Sequence, residues 1–144
     1  MNCDIKLFFI FGIMSKQVVI DFIDAINKHD LDRMFDLMTE DHIFINSHGK
    51  RSEEKKSMKQ GWKGYFEFFP DYTIEITEIT ENDSVIGIFG YASATYMNKR
   101  NKQNSNYWHL PSAWKAVVSD NKIKLWQVFT DTKVPYEIIE QNIS

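Results

Sequence analysis

The chain has a single cysteine, Cys3, which excludes an intrachain disulfide framework and fits a reducing, cytoplasmic setting. It has no long run of one charge. Its densest bases, Lys50-Arg51 and Lys55-Lys56, are interrupted by Glu53 and Glu54, and Lys99-Arg100-Asn101-Lys102 is a short loop. With a formal net charge of −3 there is no electrostatic footprint for nucleic acid. No apolar run is long enough to span a bilayer as a helix, since Leu7–Met14 is far too short, so no membrane partner is expected. A Gly-rich phosphate loop, a G-x-S-x-G elbow and a cysteine nucleophile within the domain are all missing, which leaves nucleotide and covalent-hydrolase chemistry without support. His42-x5-His48 matches no zinc spacing, so a metal site is not expected. Internal repeats and low-complexity tracts are absent too.

Aromatic residues are what the chain has in quantity. Of its 144 residues, 11 are Phe, 6 Tyr and 4 Trp, within an ordinary globular balance of 43% hydrophobic and 26% charged. The densest cluster lies in Gly61–Ile76, where Trp62, Tyr65, Phe66 and Phe69 fall at helical spacing. Pro70 stops that helix, and the alternation from Tyr72 through Ile74, Ile76 and Ile79 then predicts a strand. An aromatic helix passing directly into a strand predicts a helix laid on a sheet, with either a ring-filled core or a ring-walled cavity between them.

In chain order, residues 1–14 read as a tail. They are either an upstream extension of a start at Met14-Ser15 or a weak signal-like segment with no cleavage motif. The domain is expected over 15–144. Ser15 is placed to cap a helix carrying Val18, Val19, Phe22, Ile23 and Ile26. Asp30 caps a short helix over Leu31–Met38, and His29-Asp30 is the turn between them. A brief strand, His42–Asn46, precedes Ser47-His48-Gly49. Ser52 caps a third helix with Glu53 and Glu54 in its first turn. Strands follow over Tyr72–Thr80 and Val85–Tyr96, where Gly87 and Gly90 permit a bend or bulge. After the polar, basic loop Met97–Tyr107 comes a hairpin, Ser112–Ser119 and Lys122–Asp131, turned at Asp120-Asn121. Tyr136–Ile143 is a short terminal helix or arm. Helices followed by hairpin-connected strands predict an α+β fold.

That order, with Phe22, Asp30-Leu31, the strand His42–Asn46, Tyr65-Phe66-x-x-Phe69-Pro70-Asp71-Tyr72, Leu110-Pro111-x-Ala113-Trp114 and Trp126 to Asp131, resembles the SnoaL-like branch of the nuclear-transport-factor-2-like superfamily. The resemblance covers residues 15–142. It implies a cone-shaped, curved antiparallel sheet packed on three N-terminal helices, with a pocket at the wide end. Members include polyketide cyclases, steroid isomerases, epoxide hydrolases and dehydratases, and others are non-catalytic binding or assembly domains. A cofactor-independent isomerase, cyclase or dehydratase acting on a small hydrophobic molecule is therefore implied, with a binding or dimerising module as the alternative. Relatives often carry Asp where this chain has Asn46, and an amide there cannot act as a base.

Alternation in the last strand puts Gln127, Phe129 and Asp131 on one face and Lys122, Lys124, Trp126, Val128 and Thr130 on the other. The lysines point that second face to solvent, so Asp131 is expected inside, unless a bulge intervenes. A partly desolvated carboxylate beside Phe129 suits proton transfer, with the competing role of a strand-end cap. His48, after the short strand, and His109, at the pocket mouth, are candidate assistants, against ordinary turn or strand-edge roles. Trp62, Tyr65, Phe69 and Trp114 are expected in the apolar wall or the core. Tyr91 and Tyr107 are candidate phenol donors, and Asn46 a pocket hydrogen-bonder or strand-end cap. Trp126 and Val128 are expected on an outer sheet face buried in a homodimer.

Overall fold

A computed structural model describes residues 3–96 and 105–143, with side chains from Ser15 onward. The basic loop expected after Tyr96 lies, over 97–104, outside the described residues. The elements are α1 (Cys3–Asn27), α2 (Leu31–Asp36), β1 (Met38–Ile45), β2 (Arg51–Ser52), α3 (Lys55–Phe68), β3 (Thr73–Asn82), β4 (Val85–Thr95), β5 (Tyr107–Ser119), β6 (Lys122–Thr130) and α4 (Lys133–Ile143). Helices pack on a curved, unclosed six-stranded sheet of order β2-β1-β6-β5-β4-β3. The fold is α+β as expected, but the sheet is mixed, because β1 pairs β6 in parallel. These two strands are far apart in sequence and joined by no hairpin, so no short turn forces them antiparallel.

α1 buries Val19, Phe22, Ile23, Ala25 and Ile26 against the sheet, the stripe its 3.6-residue spacing predicts. Its helical backbone begins at Cys3, so Ser15 lies inside the helix rather than at its cap. It stops at His29, whose φ of 54° takes the left-handed position usually filled by glycine. There His29 N donates to Ile26 O and Asp30 N to Ala25 O, the paired bonds of a Schellman end. Asp30 then accepts from Arg33 N at 3.1 Å and caps α2. The Asn27 amide both donates to Ile74 O (3.0 Å) and accepts from Ile74 N (2.8 Å), tying the helix end to edge strand β3.

α3 starts later than expected. Ser52 belongs to β2, Glu54 stands at the N-cap without a side-chain cap bond, and the first helical residue is Lys55. The acids Glu53 and Glu54 thus lie before the helix. α3 ends at Phe68, with Pro70 just beyond. Asp71 secures this junction by accepting from Thr95 N and from Thr95 Oγ1 (2.7 Å) at the end of β4.

Among the described residues the sheet's register shifts in β1 between Met38 and Ile43, in β3 and in β6. In β3 the pairing jumps from Ile76↔Gly90 to Glu78↔Phe89, leaving Thr77 unpaired. Gly90 is required there, because any Cβ would collide with the Glu75 carbonyl. In β6 the pairing passes from Val118↔Ile123 to Val117↔Leu125, so Lys124 is the extra residue. Pro111 is tolerated inside β5 because β6 pairing ends at Ser112↔Thr130, and at Pro111 the strand has only β4 as neighbour. The β5–β6 turn places Asp120 and Asn121 both at positive φ, 51° and 61°, as a two-residue hairpin requires.

Candidate functional site

The bulge at Lys124 decides which face of β6 looks inward. Ile123 and Trp126 are both fully buried although three residues apart, which a strand of strict period two cannot achieve. Beyond the extra residue the parity is reversed. Val128 and Thr130 face inward and line a cavity of about 510 Å³, while Phe129 is 49% exposed on the other face. Asp131 is exposed, and its Oδ1 accepts from Lys133 N at 2.9 Å at the start of α4. The expectation of an inward Asp131 is thereby corrected, and the residue takes the capping role that was its alternative.

The cavity sits where the sheet opens. The end of β1 and its turn supply Phe44, Asn46 and His48. The N-cap residue and one stripe of α3 supply Glu54, Ser57, Met58, Gly61, Trp62 and Tyr65, at steps of three and four. Tyr72 comes from the turn before β3, Ala92 from β4, Trp108 from β5, and Thr132 and Tyr136 from the chain after β6. Of the residues expected at the site, the structure therefore brings together Asn46, His48, Trp62 and Tyr65.

The others lie elsewhere. Phe69 and Trp114 are core residues, 3% and 2% exposed. Phe69 backs the wall by edge contacts with Trp108, and Trp114 stacks at the opposite end of the core on Trp126. Tyr91 and His109 stack on each other at 4.5 Å on the outer sheet face, His109 Nε2 lying 4.0 Å from Glu75. Tyr107 and Gln127 are outside the cavity lining, Tyr107 being exposed. Trp126, expected on the outer face, is buried, and Val128 is in the cavity wall. The outer face instead exposes Phe89 and Phe129, which flank Ala113 in register across β4, β5 and β6.

Asn46 acts first as a staple. Its Oδ1 accepts from His48 N (2.9 Å) and Lys50 N (3.0 Å), closing the β1–β2 turn. That turn holds the exposed His48 with Nε2 3.1 Å from Thr132 Oγ1 and its ring 5.8 Å from that of Tyr136. Deeper in, Tyr65 and Tyr72 stand at 5.1 Å and 79°, and neither hydroxyl has a protein partner among the described residues. Burial pushes the phenol of Tyr72 well above its ordinary value. Tyr65 is raised by burial first, then by Tyr72 and Tyr136. Both therefore remain neutral, able to donate or accept a hydrogen bond. The carboxylates that line the cavity, Glu53 and Glu54, are exposed at its rim.

Sequence reasoning missed Tyr72, Trp108 and Tyr136. Trp108 was hidden because the strand was expected to begin after Pro111. Outside the cavity it also missed His42, expected at a strand edge but fully buried, with Nδ1 donating to Ile123 O at 2.7 Å and Nε2 unpartnered. Burial holds the His42 imidazole below its ordinary pKa, partly offset by that bond. Among the described residues, no group of three or more His, Cys, Asp or Glu could hold a metal ion, and no helix is long and apolar enough to cross a membrane.

Comparison with known proteins agrees with this architecture. No curated protein matches the sequence. Among solved structures, a protein from Xanthomonas campestris pv. campestris provisionally named a polyketide cyclase is 16% identical, with a TM-score of 0.72 over 91% of this chain and 97% of that one. An LEH-like epoxide hydrolase of M. tuberculosis is 12% identical, with a TM-score of 0.71 over 90% and 92%. A Catenulispora acidiphila protein with a ketosteroid isomerase-like fold, solved with trimethylamine, is 10% identical, with a TM-score of 0.71 over 87% and 91%. At such identities the likeness is one of fold. The SnoaL-like domain family matches residues 19–126, and the chain belongs to that family.

Proposed function

We propose that the chain binds a small, mostly apolar molecule in the cavity beneath α3, with Tyr65 and Tyr72 as hydrogen-bond partners for its polar group. The observation that carries this reading is a cavity of about 510 Å³ walled by rings and lined by two neutral phenols, buried Tyr72 and half-buried Tyr65, without protein partners among the described residues. A hydroxyl free of protein partners can give its hydrogen bond to a ligand without breaking one in the fold. The test is titration with one- to three-ring ketones and alcohols, followed by intrinsic tryptophan fluorescence. Saturable one-to-one binding, weakened about tenfold in Tyr72→Phe, is expected. Absence of saturation at millimolar concentrations, with the protein folded, would remove the reading.

A proton-transfer enzyme of the isomerase, cyclase or dehydratase kind is the second reading, favoured by His48, the cavity's imidazole. Its contact with Thr132 Oγ1 holds the ring in the cavity lining, where a general base would have to stand. His48→Gln should then abolish turnover of a bound substrate while leaving its affinity within about twofold. Asp131 and His109 have no part in this reading, since both lie outside the cavity lining. We also propose that a second copy of the chain covers the outer apolar face at Phe89, Ala113 and Phe129. A dimer in analytical ultracentrifugation that Phe129→Lys converts to monomer is expected, and a wild-type monomer at high concentration removes this proposal.

A further inference from the structure

The geometry points to a cationic ligand, an amine or quaternary ammonium whose apolar body fills the cavity. This inference rests on the cavity being a binding site, and adds the charge of what it takes.

Three observations converge on it. First, the rings meet edge to face: Phe44 and Trp62 at 62°, Trp62 and Tyr65 at 83°, Tyr65 and Tyr72 at 79°. The lining is rich in rings of the kind whose quadrupole attracts a cation: Phe44, Trp62, Tyr65, Tyr72, Trp108 and Tyr136. Second, the lining carries no lysine or arginine; its acids are the carboxylates of Glu53 and Glu54, and its one imidazole is that of His48. Third, the bases flanking Glu54 in sequence pair elsewhere. Arg51 turns to Glu53 at 3.4 Å, and Lys55 turns to Glu40 at 3.4 Å and Met38 O at 3.5 Å. Glu54 has neither an ion pair nor a cap bond, although it occupies the N-cap of α3. The phenol oxygens of Tyr65 and Tyr72 can accept from an ammonium N–H deeper in. An anion would find no lysine or arginine in the lining and would face the rim carboxylates, with only hydroxyl, amide and imidazole groups to bind it.

Two isosteric probes test the charge alone: benzyltrimethylammonium, and neopentylbenzene, in which carbon replaces the nitrogen. The expected result is a Kd about tenfold lower for the ammonium, the size of a modestly desolvated cation–π contact with a nearby carboxylate. Glu54→Gln should weaken the ammonium about threefold and leave the neutral probe unchanged, because the Glu54 side chain makes no bond on which folding depends and its carbonyl bond to Met58 N is kept. Neutral binding as tight as ammonium binding overturns the inference while leaving the cavity a binding site. An equal loss for both probes in Glu54→Gln overturns it too, since charge would not be the cause. Saturation by neither probe removes both this inference and the binding site beneath it.

Discussion

The two ends of the sheet's inner face are built from the same kind of residue and do opposite things. At one end Trp126 meets Phe22 edge-on at 5.0 Å and stacks on Trp114 at 6.5 Å, and none of the three is more than 2% exposed. At the other, Trp62, Tyr65, Tyr72 and Trp108 surround a hollow. Unsatisfied donors do not distinguish the ends: all four tryptophans bury an indole N–H without an acceptor. What differs is where the elements stop. β6 ends at Thr130, opposite Ser112, while β5 reaches back to Tyr107 beside β4. The sheet loses a strand's width there, and α3 above it carries Gly61 where a large side chain would close the gap. Aromatic content thus supplied the wall material, and chain terminations decided where the wall encloses space.

The strongest way to break the comparison is to truncate a ring at each end. Trp126→Ala should cost about 3–5 kcal/mol in urea unfolding, the range for emptying a closed, fully packed site. Trp62→Ala should fall at or below the bottom of that range, because the volume it vacates joins an existing cavity. Equal losses at the two ends would mean that the open end is packed as tightly as the closed one.

A second test uses pH, and concerns the closed end. His42 is buried beside Phe22, whose ring lies 6.5 Å away, and desolvation lowers its pKa in the folded state. The unfolded chain therefore takes up this proton first, at an ordinary pKa of about 6.5. His42's contribution is fully present above that pH and is lost as pH falls toward the depressed folded value. Urea midpoints at neutral and mildly acidic pH should show stability declining over that interval. His42→Asn, which can keep a donor toward Ile123 O, should flatten the slope. A slope unchanged by the substitution would place its origin in other groups.

These tests also mark what the sequence could and could not tell. Element types, the α+β class and the aromatic face of α3 followed from local spacing, and local spacing survives folding. The inward face of β6 did not, because one extra residue in a strand reverses every side chain beyond it. A sign of it was present: Ile123 and Trp126, both large and apolar, are three apart and cannot share a face on a period of two. Reading the lysines as solvent markers was sound for Lys122 and Lys124, but their parity did not extend past the bulge to Thr130. Trp108 and Tyr136 enter the cavity through contacts distant in sequence, from a strand extending through Pro111 and from the chain after β6. No local pattern announces such contacts.

The smallest effect is the most discriminating. α3 contains two glycines, Gly61 and Gly64, and a Cβ added at either meets no heavy atom within 4 Å. Glycine inside a helix costs roughly 0.5–1 kcal/mol relative to alanine, so each substitution by Ala should raise stability by about that amount. Only Gly61 lines the cavity. Gly61→Ala should therefore gain stability and bind the bulkiest ligands a few-fold less tightly, while Gly64→Ala gains the same stability with affinity unaltered. Paired urea unfolding and ligand titration read both quantities on the same samples. A loss of affinity at both positions would trace it to helix rigidity rather than to the space above Gly61. No loss at either would mean that the mouth of the cavity lies elsewhere. Divergence between two substitutions of equal size, on one helix, would separate room kept for a ligand from slack in the fold.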